Sequence, residues 1–182
     1  MAVLRKIFAT AIALVGLIQA AQGQSGEYRL KGAYLCRLVD FVDWPAGELA
    51  ATNSPLIIGI LGHDPFGGAL EEMAQGQTSR GHPLEIRRYA SVNDIGACEE
   101  LYICASEAGR LSTILHQLHG KPILTVSDIS NFSALGGCIR FYTEANKVRF
   151  HINLDAAKAS RLTISSRLLQ LADVTREGSG AP

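Results

Sequence analysis

Between Lys121 and Asn153 the chain reads KPILTVSDISNFSALGGCIRFYTEANKVRFHIN, and its apolar positions fall into three strand-like bursts. Ile123 to Val126 is continuous and breaks at Ser127 and Asp128, as a buried strand does at a polar edge. Cys138 to Tyr142 and Val148 to Asn153 carry β-branched and aromatic residues around Glu144 to Lys147, which predicts a hairpin. In its second arm Val148, Phe150 and Ile152 alternate with Arg149, His151 and Asn153, giving one dry face and one wet face. Gly136 and Gly137 sit where the chain must turn into the hairpin.

The segments before this stretch alternate between the two periodicities. Leu30, Tyr34, Leu38, Phe41 and Val42 recur near helical spacing and predict a first helix that ends before Trp44-Pro45, with the tryptophan plugging one end of the core. Leu56 to Leu61 is a continuous apolar run, the pattern of a strand covered on both faces. Asp64 and Pro65 then suit the N-cap and first position of a helix whose stripe is Phe66, Ala69, Leu70 and Met73. Leu84 and Ile86 alternate with polar residues, as in an edge strand. Ser91 and Asp94 resemble a capping pair for a short helix ending near Cys98. Leu101 to Ala105 is the next buried strand. Ser106 is placed to cap a helix with the stripe Leu111, Ile114, Leu115 and Leu118, which Gly120 and Pro122 end. Two helical pieces follow the hairpin, 155–160 and 166–172, and Thr175 to Pro182 has little to bury.

This alternation predicts an α/β fold: a three-layer, Rossmann-like sandwich on a mostly parallel sheet with an antiparallel edge hairpin. The first strand should lie between the second and third, which opens a crevice at the carboxyl ends of strands one and three. Gly62, His63, Asp64, Ser106 and Glu107 would surround it, making them the candidate ligand-binding residues.

Composition narrows the function. The chain has 182 residues and a formal net charge of zero, so one domain spanning 27–173 is expected, without the basic footprint of a nucleic-acid binder. Arg5 and Lys6, an apolar run from Ile7 to Ile18, and small residues at Ala21 and Gly23 predict a secretory signal peptide over 1–23. No later run is long enough to span a bilayer. The processed chain is therefore expected outside the cytoplasm with no direct membrane insertion, followed by a flexible tail over 174–182. Cys36, Cys98, Cys104 and Cys138 would meet oxidising conditions there, and they are the disulfide candidates. Sequence leaves the pairing open, although the extended run between Cys98 and Cys104 argues against joining those two, and buried free thiols are the alternative.

No catalytic or cofactor signature appears. Gly59, Gly62, Gly67 and Gly68 miss the dinucleotide spacing, and Gly68 and Ala69 stand where a phosphate loop needs Lys and Ser or Thr. The end of the third strand has Cys104, Ala105 and Ser106 where a receiver domain needs an acceptor Asp. His116 and His119 share a helix face, yet no third and fourth metal ligands accompany them. No enzymatic role, cofactor or metal is expected.

Taken in order, KGAYLCRLVDFVDWP, LIIGILGHDPFGGAL, ACEELYIC, PILTVSDI, GGCIRFY, VRFHINLDAA and SSRLLQLA resemble the YfiR family of periplasmic proteins. The resemblance implies a regulator: a homodimeric periplasmic repressor of an inner-membrane diguanylate cyclase with a periplasmic sensor domain, lowering cyclic-di-GMP signalling and biofilm formation. Cys98 and Cys138 fall near family cysteine positions, whereas Cys36 and Cys104 depart from them. The alternative function is a periplasmic small-ligand-binding module that uses the strand-one crevice.

Overall fold

A computed structural model describes residues 26–49 and 54–175; the expected signal peptide and most of the tail lie outside them. In chain order, α1 occupies 26–38 and continues through a 3₁₀ turn, Val39–Phe41, into β1 (Val42–Asp43). β2 (Leu56–Leu61), α2 (Ala69–Ala74), β3 (Thr78–Ser79) and β4 (His82–Tyr89) follow. β5 (Glu100–Ile103), α3 (Leu111–Leu118) and β6 (Leu124–Ser127) come next. β7 (Ile139–Glu144), β8 (Lys147–Asn153), α4 (Leu154–Ala159), β9 (Thr163–Ile164), α5 (Ser166–Leu169) and β10 (Asp173–Thr175) close the chain.

The main sheet has the order β10-β8-β7-β6-β5-β2-β4-β3, so β2 lies between β4 and β5 as its position in the sequence predicts. β4, β2, β5, β6 and β7 run parallel, and β7 with β8 forms the antiparallel hairpin. β10 adds a short parallel strand outside β8, and β1 pairs with β9 in a separate two-stranded ribbon.

Two apolar clusters lie on opposite faces of this sheet. One joins Leu35, Leu38 and Val39 of the first helical segment to Ile58, Ile60, Tyr102, Val126, Phe141 and Phe150, with Trp44 buried at its margin. The other joins Leu61, Leu101 and Ile103 to Leu111, Ile114, Leu115 and Leu118 of α3 and to Phe132. This is the expected three-layer arrangement. Gly32 lets α1 approach the α2 segment, because a Cβ there would already sit 3.3 Å from Leu70 and 3.5 Å from Phe66.

Local chemistry shifts several expected boundaries. α2 starts at Ala69, because Gly67 adopts φ +56° and interrupts any helix begun at Pro65; Asp64 instead accepts from the Phe66 N–H at 2.6 Å in a local turn. Ser106 does not cap α3, which follows a 3₁₀ segment, Ala105–Arg110. The helix expected before Cys98 is only the 3₁₀ turn Val92–Asp94, with Ser91 Oγ accepting from Asn93. Leu38 and Val42 of the expected face are buried, but at the start of α1 Leu30 is exposed and Lys31 takes the inward position.

Candidate functional site

The five residues expected around the crevice do come together. Gly62 ends β2 in a left-handed conformation, φ +96°, and a Cβ on it would fall 2.5 Å from Ser106 Oγ and 2.7 Å from Glu107 Oε1. Only glycine fits there on both counts. The His63 N–H donates to Ser106 Oγ at 2.9 Å, and Ser106 donates to Glu107 at 3.4 Å. Glu107 is buried and receives Arg110 Nε at 2.5 Å. Asp64 accepts from Arg88 at 2.7 Å, and Arg88 also reaches Glu71 and the Gly67 carbonyl. Hydrogen bonding, chiefly to Glu71, raises the Arg88 pKa further above its ordinary value and pulls that of Glu71 down. The side chains of Asp64, Ser106 and Glu107 are thus turned on one another or on arginines, while the His63 side chain is exposed, and the switch point of the sheet works as a clasp between two loops.

A second charged cluster lies at the end of β6. Ser127 Oγ donates to the Ile103 carbonyl at 2.7 Å and accepts from the Ile129 N–H at 3.1 Å, ending the strand as its sequence predicts. Asp128 then receives Lys31 Nζ at 2.7 Å and the Tyr28 hydroxyl at 2.9 Å, while Lys31 also reaches Glu27 at 2.6 Å. Burial alone would raise the Asp128 pKa, but Lys31 and the tyrosine outweigh it and hold the carboxyl below its usual range. Burial, followed by Asp128, pushes the Tyr28 phenol up. Lys31 was not legible as functional in the sequence; the one signal was a lysine on a helix beside a leucine that could equally face inward.

All four cysteines are free and buried. Burial pushes the Cys36, Cys98 and Cys104 thiols up to about 12, and that of Cys138 is raised as well. Such thiols remain protonated and are poor nucleophiles. His116 and His119 lie exposed on the last turn of α3 and just beyond it. Among the described residues no group of three or more His, Cys, Asp or Glu could hold a metal ion, and no helix is long and apolar enough to cross a membrane.

The surface opens elsewhere. α1, β8 and α5 enclose a groove of about 320 Å³ floored by Tyr34, Leu38, Phe41, Val148 and Phe150 and walled by Leu168 and Leu171. Leu171 is 72% exposed, against 44% for Leu30, the next most exposed large apolar residue among those described. Arg37 and Arg149 stand at the rim, each next to a carboxylate, Asp40 at 3.6 Å and Glu144 at 3.0 Å. Edge contacts between Tyr34 and Phe150, with ring centroids 5.8 Å apart, stiffen the floor. An apolar floor with a charged rim is the anatomy of a protein contact surface. Sequence reasoning missed this groove because its three walls meet only in the folded chain.

No curated protein is similar enough in sequence to match the chain. A sequence model of the YfiR/HmsC-like family matches residues 28–173, which covers every element described above except the first residues of α1 and the last two of β10. With helices on both faces of the sheet, the switch-point crevice and an open apolar groove all inside that match, the chain belongs to the YfiR/HmsC-like family, whose members are periplasmic regulators of cyclic-di-GMP signalling.

Proposed function

We propose that this protein is exported by cleavage of a signal peptide near Gly23 and, in the periplasm, binds and represses the sensor region of an inner-membrane diguanylate cyclase. Cyclic-di-GMP and biofilm formation fall as a result. The docking surface is the groove between α1, β8 and α5, and the observation that carries the assignment is Leu171, 72% exposed at the wall of an aromatic floor. An exposed leucine of that kind gains most from a partner that removes it from water, about 25 cal/mol per Å² of apolar area covered. The crevice supports the same reading over a metabolite at the end of β2, since Ser106, Glu107 and Asp64 already satisfy one another or nearby arginines. A homodimer in the periplasm belongs to the same proposal.

The test uses the exported chain and a detergent-solubilised full-length inner-membrane diguanylate cyclase with a periplasmic sensor region from the same cell. Wild type should co-purify with the enzyme and lower its product, and Leu171→Asp should lose both while melting as wild type does. Retained capture and repression by a folded Leu171→Asp protein would overturn the assignment of the groove. Mass spectrometry of the periplasmic fraction should find an N-terminus close to residue 24, and light scattering should report two chains per particle.

A further inference from the structure

The face of the hairpin opposite α1 holds a second opening. β7 and β8 turn Ile139, Phe141, Phe150 and Ile152 toward the α1 side, so Arg140, Tyr142, His151 and Asn153 point the other way. α3 covers β2 and β5 on that side through Leu61, Leu101 and Ile103, but its cluster includes nothing from β7 or β8. A cleft of about 420 Å³ therefore lies between the 3₁₀ turn Ser133–Leu135 and the sheet, lined by Ser130, Ser133, Arg140, His151, Asn153 and Thr175. A second cleft, toward Lys31 and Asp128, shares Ser130 and Arg140 with it.

Arg140 is unlike the arginines of the clasp. Arg88 and Arg110 are bound to carboxylates, whereas Arg140 has none within 4.0 Å among the described residues and rests 5.1 Å from the Tyr142 ring centroid. Its neighbours are arranged. His151 Nδ1 is 3.0 Å from Ser133 Oγ, which fixes the ring and leaves the other nitrogen without a protein partner among the described residues. Asn153 donates to the Ser133 carbonyl at 3.0 Å and caps α4 with its own oxygen, so the turn is tied to β8 at two points. Asp173, whose carboxylate receives the Tyr142 hydroxyl, lies beside His151.

We infer that this cleft binds a small, hydroxylated, singly charged carboxylate, with the Arg140 guanidinium taking the carboxylate and Ser130, Ser133 and His151 meeting the hydroxyls. A planar guanidinium with no carboxylate partner is the side chain best matched to that group. One cation facing the nearby Asp173 suits one negative charge better than two. The volume lies in the range of small-molecule sites, and a few convergent polar side chains on a mixed lining suit a small polar ligand. The site lies on the face away from the docking groove and does not depend on that assignment.

The experiment is calorimetry and ¹⁵N-correlated NMR on the exported chain, with gluconate, lactate and inorganic phosphate as probes. Gluconate should bind saturably, with resonances of Ser133, Arg140 and His151 shifting, and phosphate should bind more weakly. Arg140→Gln should weaken gluconate binding at least about tenfold, as loss of a charge-assisted pair does, while keeping the wild-type melting curve. Leu171→Asp should bind gluconate as wild type does, whatever happens to cyclase capture. Absence of saturable binding by both carboxylates, tighter binding of phosphate, or unchanged affinity in Arg140→Gln would each overturn the inference.

Discussion

The two halves of the main sheet are built on different terms. In β2 and β5 every residue is buried, because α1 and α2 cover one face and α3 the other. In β7 and β8 burial alternates, because only the α1 side is covered. The doubly covered half keeps both faces of its strands out of water. The singly covered half leaves a row of polar side chains in water and one wall of an apolar groove. Stability and surface chemistry are therefore segregated along the sheet.

Truncation gives the largest contrast. Leu101 is fully buried in β5, and Leu101→Ala should cost about 3 kcal/mol, whereas Val148→Ala, at a half-buried position of β8, should cost about 1 kcal/mol. Urea titration measures both. Hydrogen exchange sharpens the comparison. If the hairpin tip opens by itself, Leu101→Ala accelerates the amides of Ile58 and Tyr102 but leaves those of Tyr142 and Arg149 unchanged. Equal acceleration would mean that the two halves open as one.

Lys31 ties α1 to the junction of the halves, at the end of β6. Its side chain is 4% exposed and that of Asp128 12%, so Lys31→Ala leaves a carboxylate with little water and should cost roughly 3 kcal/mol. The Asp128 pKa is lowered in the folded protein, so its contribution is present above the unfolded value of about 3.9 and is lost as pH falls through the folded one. The difference between wild type and Lys31→Ala should therefore be full at neutral pH and shrink below about pH 4. A difference independent of pH would show that packing of the lysine stem, and not the ion pair, carries the effect.

How much of this was legible depended on whether the deciding contact was local. The β2 run and the hairpin follow from periodicity and turn residues within single segments, and the place of β2 between β4 and β5 from the alternation of strand and helix. Leu30 and Lys31 differ by one helical step, and the choice between them was made by Asp128, 97 residues away. The start of α2 was displaced by the backbone of Gly67, which no apolar stripe records. The five crevice residues were placed together correctly from topology, but the arginines that close the site, Arg88 and Arg110, come from β4 and the turn before α3 and gave no signal of their own. The Arg140 cleft depends on which face of the hairpin stays uncovered. Alternation in β8 announced a wet face without saying what would line it.

Glu100 marks the limit of the doubly covered half. It lies in β5 between Ile58 and Leu124, fully buried, with no hydrogen-bond partner on either carboxylate oxygen. Burial pushes its pKa well above the carboxylate range, so the folded protein holds a proton that the unfolded chain releases above about pH 4.3. A raised folded pKa gives stability that is present below the unfolded value and is lost as pH rises toward the folded one, with a slope on the order of 1.4 kcal/mol per pH unit. Glu100→Gln should match wild type near pH 4 and exceed it increasingly toward neutrality in chemical denaturation. No gain at pH 7 would mean that the carboxyl is solvated or paired in solution.

The smallest effect belongs to the hairpin turn. Ala145 and Asn146 adopt φ +48° and +60°, the geometry of a two-residue type I′ turn between Glu144 and Lys147, which pair across the strands. Asn146 tolerates that conformation, but alanine has a Cβ and no side-chain oxygen to offset the strain. Ala145→Asn should raise stability by about 0.5 kcal/mol with no change in the buried half. Every opening that melts the turn loses this gain, so amide exchange at Tyr142 and Arg149 should slow by about twofold. If exchange there stays at the wild-type rate while global stability rises, the hairpin tip opens with its turn intact. The boundary between the two halves of the sheet would then lie within the strands and not at their tip.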